Sequence, residues 1–263
     1  MRHLILALTC SLVWLTSCHM EATTKFYADR TGSAEVYISL DDHLASQMKN
    51  EGDSEAPTYN GTKVKDLPRD WTSLYDMALA QNDSAALLDK DTVELMKLIQ
   101  VKFDIRNEKF RGYGFRIDRA SEKEFIDFAK TIESFHPAAS VDKEKTEMST
   151  QALKVSWDGQ KLIIPLGSQL DDPQDNENTK KVNDEPDPAY DMIKTMFEDA
   201  NCSITYRYAF ENKIKKIKGE HDFFRKVDDH TVEFKLDFMQ LMEMSEKGQT
   251  LKKKDEVVTV FVK

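Results

Sequence analysis

Between Val101 and Phe135 the hydrophobic period changes once, and that change restricts the fold more than any other stretch. Val101, Phe103 and Ile105 alternate with Lys102, Asp104 and Arg106, and Tyr113, Phe115 and Ile117 alternate with Gly114, Arg116 and Asp118. A period of two gives each strand one apolar and one polar face. Asn107-Glu108-Lys109 turns the chain between them. The next apolar residues, Phe125, Phe128, Ile132 and Phe135, are spaced three, four and three apart, as on one face of a helix. Ser121-Glu122-Lys123-Glu124 is a capping box that opens this helix, and Pro137 stops it. A two-faced hairpin and a one-faced helix bury their apolar sides together, so the class is α+β: antiparallel sheet built from hairpins, with helices on one face.

The same order recurs on either side. Thr23 to Leu40 reads as a hairpin around Asp29-Arg30-Thr31-Gly32, with Val36, Ile38 and Leu40 alternating in its second strand. Asp41-Asp42 caps a short helix through Met48, and residues 50–68, with Gly52, Pro57, Gly61 and Pro68, form a polar loop. Arg69 to Ala80 is helical in spacing, with Trp71, Leu74, Tyr75 and Ala78 on one side, and Thr92 to Leu98 adds a further helical segment. After a polar linker over 138–150, Leu153, Val155 and Trp157 face Leu162, Ile164 and Leu166 across an Asp158-Gly159 turn. Residues 168–188 form an acidic loop with Pro173, Pro186 and Pro188, followed by a helix to Ala200 that buries Met192, Ile193, Met196 and Phe197. Ile204, Tyr206, Tyr208 and Phe210 share one strand face. Val232, Phe234, Leu236 and Phe238 share another, opposite Glu233, Lys235 and Asp237. Phe238 to Met244 is a Met-rich turn or short helix, and Val257 to Val262 suits a sheet interior. Residues 23–263 thus make a single domain. Gly112-Tyr113-Gly114 lacks the third Gly and the helix of a phosphate cradle and marks a bulge or a close backbone approach.

The N-terminus sets the address. Met1-Arg2-His3 is basic and Leu4 to Leu15 is apolar apart from Thr9, Cys10 and Ser11. That run is shorter than the roughly 20 residues that cross a bilayer as a helix, and fits a signal peptide over residues 1–17. Leu15-Thr16-Ser17-Cys18 resembles the lipobox of bacterial lipoproteins. The resemblance implies cleavage before Cys18, acylation of its thiol, membrane anchoring through the fatty chains, and a short tether over 18–22. His19 follows the Cys in place of the Asp that retains such proteins in the inner membrane, and no acidic export run follows. The expected location is therefore the outer membrane, facing the periplasm.

Composition narrows the partners. With 37 basic and 47 acidic residues the net charge is −10, which argues against both nucleic acid and the anionic headgroup surface as partners drawn in by charge. The three cysteines are Cys10, Cys18 and Cys202; the first leaves with the signal peptide and the second is acylated. Cys202 then has no disulfide partner and reads as a buried structural thiol, with no base beside it in Glu198-Asp199-Ala200-Asn201.

With these segments in place, the chain resembles a group of uncharacterised Bacteroidetes lipoproteins. The likeness rests on the hairpin Phe26-Tyr27-Ala28-Asp29-Arg30-Thr31-Gly32-Ser33-Ala34 just after the acylated Cys. It rests also on the aromatic strand Ser203-Ile204-Thr205-Tyr206-Arg207-Tyr208, the Lys213-Ile214-Lys215 bend and the alternating stretch from Thr231 to Phe238. The resemblance implies no known activity and no catalytic residue. Asp83-Ser84-Ala85 and Asp91-Thr92-Val93 resemble the short O-glycosylation signal of that phylum, and helix capping accounts for them equally well.

The chemistry-bearing residues form no recognised constellation. There is no Gly-x-Ser-x-Gly, His-Glu-x-x-His or Cys-x-x-Cys. Glu220-His221-Asp222 and Asp228-Asp229-His230 read as polar turns rather than a metal site, and Asp171-Asp172, Asp175 and Asp184-Glu185 lack the spacing of a calcium loop. No cofactor or metal is expected, and no catalytic residue is assigned. The expected function is a non-enzymatic, membrane-anchored interaction module for other envelope proteins. The alternative is a carrier or sensor of lipid or another apolar ligand, with Phe238, Met239, Met242 and Met244 lining its cavity. A hydrolase whose site assembles only in space is the remote third.

Overall fold

The computed structural model describes residues 19–39, 58–59, 62–80, 89–107, 109–135, 155–166, 203–247, 249, 251–253 and 255–263. The strands are β1 His19–Phe26, β2 Gly32–Ser39, β3 Thr58–Tyr59, β4 Thr62–Lys63, β5 Thr72–Ser73, β6 Gln100–Arg106, β7 Lys109–Ala120, β8 Ser156–Trp157, β9 Lys161–Pro165, β10 Ser203–Phe210, β11 Ile214–Lys218, β12 Phe224–Lys226, β13 Thr231–Asp237 and β14 Val257–Val262. The α-helices are α1 Leu74–Ala80, α2 Lys90–Leu98, α3 Glu122–Phe135 and α4 Phe238–Glu246. An eight-stranded sheet runs β12-β13-β10-β1-β2-β7-β6-β5, a four-stranded sheet runs β11-β14-β9-β8, and β3 and β4 form a separate ribbon. The fold is α+β and mostly antiparallel, as the periodicity implies. At its centre β1 and β10 pair in parallel, joining strands 184 positions apart in sequence.

Register makes the core. Phe224, Phe234, Tyr206, Ala22, Val36, Phe115 and Val101 lie opposite one another in successive strands of the larger sheet. Phe128 and Ile132 of α3 join the same buried cluster, as do Leu162, Ile164, Val258, Val260 and Val262 of the smaller sheet. Trp157 on β8 links the two sheets: its ring lies 5.3 Å from Phe26 and 5.7 Å from Phe210, and its Nε1 donates to the Tyr27 carbonyl at 2.9 Å. The helices thus share the work of covering the apolar face with a second sheet.

The local signals account for most boundaries. Ser121 and Glu124 form the expected capping box, with the Ser121 amide donating to Glu124 at 2.7 Å. Asp89 caps α2 by accepting from the Thr92 amide at 3.0 Å, so Thr92 belongs to the cap while Asp91 lies in the first turn. Gly112 occupies a close approach, where a Cβ would lie 2.3 Å from the Ile38 carbonyl oxygen, and the register between β6 and β7 shifts beside it. That is the bulge the Gly-Tyr-Gly tripeptide implies.

Four stretches depart from the local reading. β1 begins at His19, four residues before the expected strand start. Within 50–68 the described residues make the β3–β4 ribbon and a 3-10 turn over Val64–Asp66 that buries Val64 and, beyond it, Leu67. Trp71 to Ser73 is not helical: Thr72 and Ser73 pair with Val101 and Gln100, and the helix starts only at Leu74, where Ser73 Oγ accepts from the Asp76 amide at 3.0 Å. The lysine-rich bend after Phe210 is the strand β11, an edge of the smaller sheet. The expected helices at 41–48 and 188–200, the linker 138–150, the loop 168–188 and Cys202 lie outside the described residues, as do residues 1–17 and Cys18.

Candidate interaction face

One step along each strand from the apolar row, the same register lines up Arg225, Glu233, Arg207, Thr23, Glu35, Arg116, Gln100 and Ser73. This row crosses all eight strands on the face opposite the core, because alternate residues point to opposite sides. Glu233 is its keystone. Its carboxylate accepts from Arg225 at 2.6 Å and from Arg207 at 2.9 Å, and Arg207 also pairs with Glu21. The two guanidinium groups cover Glu233, whose side chain is 4% exposed, while those of Arg207 and Arg225 are 42% and 69% exposed. Burial pushes the Glu233 carboxyl up, but the hydrogen bonds and charges of the two arginines outweigh it and hold the carboxyl below the ordinary glutamate range. The result is an alternating line of charge held in place by a fully engaged anion.

At the other end of the same face lies a seat for Trp71. Gly114 has no Cβ to fill the space under the indole tip, where one would sit 3.1 Å from Trp71 and 3.1 Å from Tyr37. Lys102 and Arg116 stand 4.5 and 4.6 Å from the Trp71 ring centre. Arg116 is further fixed by donating to Gln100 at 2.6 Å. Tyr37 donates its hydroxyl to Asp104 at 3.0 Å, and Asp104 is in turn held by Arg106. Burial, then the hydrogen bond to Asp104 and its charge, push the Tyr37 phenol up to about 12.

His19 and Ser203 bring a base and a hydroxyl together on the central pair of strands. His19 Nδ1 lies 2.7 Å from Ser203 Oγ, and its Nε2 lies 3.9 Å from Glu21. A nucleophile triad needs the acid within hydrogen-bond reach of the base, and 3.9 Å exceeds that reach while the Glu21 carboxylate is committed to Arg207. The arrangement works as a cross-strand lock.

The residues singled out from sequence are dispersed. His221 is buried against Phe223 and Phe234, and its Nδ1 accepts from the Phe223 amide at 3.2 Å. His230 instead sits 3.2 Å from the Phe210 carbonyl, so the two polar turns engage different parts of the sheet. Among the described residues no three His, Cys, Asp or Glu side chains gather closely enough to hold a metal. Met242 is buried, and Met239 and Met244 pack partly buried against the core. Trp71 and the Glu233–Arg207–Arg225 group were not singled out. The one local signal for the latter is Arg207, a lone charge in the otherwise uncharged strand β10.

No protein-family model matches the chain, and no curated protein matches it. Among solved structures it is similar to the folded domain of the LppM protein from Mycobacterium tuberculosis, determined by NMR. The identity is 12% and the TM-score 0.38, over 93% of this chain and 88% of that one. Among the described residues no helix is long and apolar enough to cross a membrane.

Proposed function

We propose that the protein is a lipid-anchored module of a bacterial cell envelope that binds another envelope protein through the polar face of its larger sheet. The observation that carries this reading is the charged row from Arg225 to Ser73, held in fixed geometry on the side of the sheet away from the core. A merely solvated face has no need of an engaged carboxylate between two arginines, since exposed ion pairs contribute only about 0–1 kcal/mol. Fixed, alternating charge confers partner specificity and orientation instead. The anchor is Cys18, acylated at the end of a signal peptide, and the membrane is the outer membrane with the domain in the periplasm. The module acts by binding rather than by catalysis.

A photoreactive residue placed at exposed Glu35, in the middle of the row, tests this in cells. A discrete adduct with an envelope protein is expected from that position and not from Lys216, on β11 of the smaller sheet. Arg207→Glu is expected to remove the adduct. Equal labelling from both positions, or labelling indifferent to Arg207→Glu, would sink the assignment. Cys18→Ser is expected to release the protein from membranes.

A further inference from the structure

The lipid anchor and the first strand are adjacent in sequence, because Cys18 precedes His19 and β1 begins at His19. Consecutive Cα atoms are about 3.8 Å apart, so an acylated Cys18 leaves no tether at all. Whatever stands at the His19 end of the larger sheet then lies in or against the headgroup layer.

The register identifies what stands there. His19 is level with Ser39 and Ser203, and through them with Gly112, Asp104 and Asp237. Two features project beyond that row. One is the β6–β7 turn, which continues past Asp104 to Arg106 and returns at Lys109 and Phe110. The other is α4, which starts directly after Asp237. Lys253 joins them, because Lys235 on β13 donates its amide to the Phe223 carbonyl, and the adjoining Asp222 amide donates to the Lys253 carbonyl at 3.0 Å. The opposite end carries the β1–β2 turn and the β8–β9 turn, where Gly159 approaches the Ala28 carbonyl.

We infer that the His19 end of the larger sheet is a membrane-contact surface, with the β6–β7 turn and α4 as its two points of contact with phospholipid headgroups. This inference rests on the lipid-anchor reading and adds the orientation. The side chains suit the interface. Arg106 and Lys253 are 73% and 55% exposed, and although each pairs with a carboxylate, Asp104 and Glu220, their long aliphatic stems let the cations turn to phosphates while the stems lie along apolar surface. Phe110 on β7 and Met239, Leu241 and Met244 on α4 are apolar groups that pack against the core and are only partly buried. In this pose the strands stand end-on to the membrane, and the charged row of the interaction face runs parallel to the lipid surface, open to a partner from the side.

The test uses the full-length acylated protein in phosphatidylethanolamine–phosphatidylglycerol vesicles that contain a nitroxide lipid labelled near the headgroup. In a Cys202→Ser background, a bimane probe is placed at Arg106→Cys or Lys253→Cys for the contact end, and at exposed Gln160→Cys for the far end. Quenching several-fold stronger at both contact positions than at Gln160 is expected. Equal quenching, or stronger quenching at Gln160, in protein that co-sediments with the vesicles would overturn the orientation and leave the anchor intact. Co-sedimentation unchanged by Cys18→Ser would overturn the anchor, and the orientation with it.

Discussion

The two faces of the larger sheet are one residue apart along every strand, yet they behave as different materials. Phe234, Tyr206, Ala22, Val36, Phe115 and Val101 meet in one row, and Glu233, Arg207, Thr23, Glu35, Arg116 and Gln100 meet in the next. The apolar row holds the fold together, since burial of carbon surface contributes roughly 25 cal/mol per Å². The charged row adds little net stability, because the desolvation of its ions offsets much of their attraction. Its content is geometric: it fixes where each charge stands. A slip of one residue in any strand would exchange the two, so the core enforces the position of every charge on the opposite face.

This contrast is sharpest under substitution. Phe115 is fully buried at the centre of the apolar row, and Phe115→Ala is expected to destabilise the fold by about 3–5 kcal/mol, read from chemical denaturation. Gly112→Ala comes next, at about 1–3 kcal/mol, because the added Cβ would meet the Ile38 carbonyl oxygen and force β2 and β7 apart. Glu233→Gln is expected to cost less, about 1–2 kcal/mol, since Arg207 and Arg225 can turn to water when the carboxylate is lost. The same variant is expected to abolish crosslinking from Glu35. A Glu233→Gln protein that keeps its partner while losing 3 kcal/mol or more would reverse the roles assigned to the two faces.

Glu233 also sets an acid limit. Its folded carboxyl titrates below the unfolded one, so the unfolded state binds the proton first as pH falls. The stability it contributes is present above the unfolded value of about 4.3 and is lost as pH falls through the folded value. Glu233→Gln is expected to flatten that part of the stability–pH curve, and an unchanged slope would separate Glu233 from acid sensitivity.

How much of this was legible in the sequence depends on how local each cause is. The β6–β7 hairpin, the capping box at Ser121 and the bulge at Gly112 follow from residues within a few positions of one another, and each stands where the pattern puts it. Trp71 was misplaced because Trp71, Leu74, Tyr75 and Ala78 have helical spacing, while the pairing of Thr72 with Val101 that overrides it comes from another segment. Lys213 to Lys218 looks like a bend because its lysines are those of a protected edge strand. The charged row is the extreme case. Only the parallel pairing of β1 with β10, bringing His19 to Ser203 across 184 positions, joins Glu21 to Arg207 and Glu233. No local pattern encodes a register between strands so far apart.

The smallest expected effect belongs to His221. It is buried against Phe223 and Phe234, and burial lowers its tendency to take up a proton, although the charges of Asp222 and Asp255 pull the other way. The groups around it bear on the outcome, because Asp222 accepts from the Lys252 amide and Asp255 from the Glu220 amide, which keeps both carboxylates in place. With the folded value below the unfolded one of about 6.5, the unfolded chain binds the proton first. Stability is then complete above about pH 6.5 and declines as the pH falls from there towards the folded value. His221→Gln, which keeps an acceptor for the Phe223 amide without titrating, is expected to remove that decline below about pH 6.5 and to leave the Glu233 step at lower pH untouched. Thermal unfolding of the two proteins across that range decides it: parallel curves would mean that His221 protonates equally in both states.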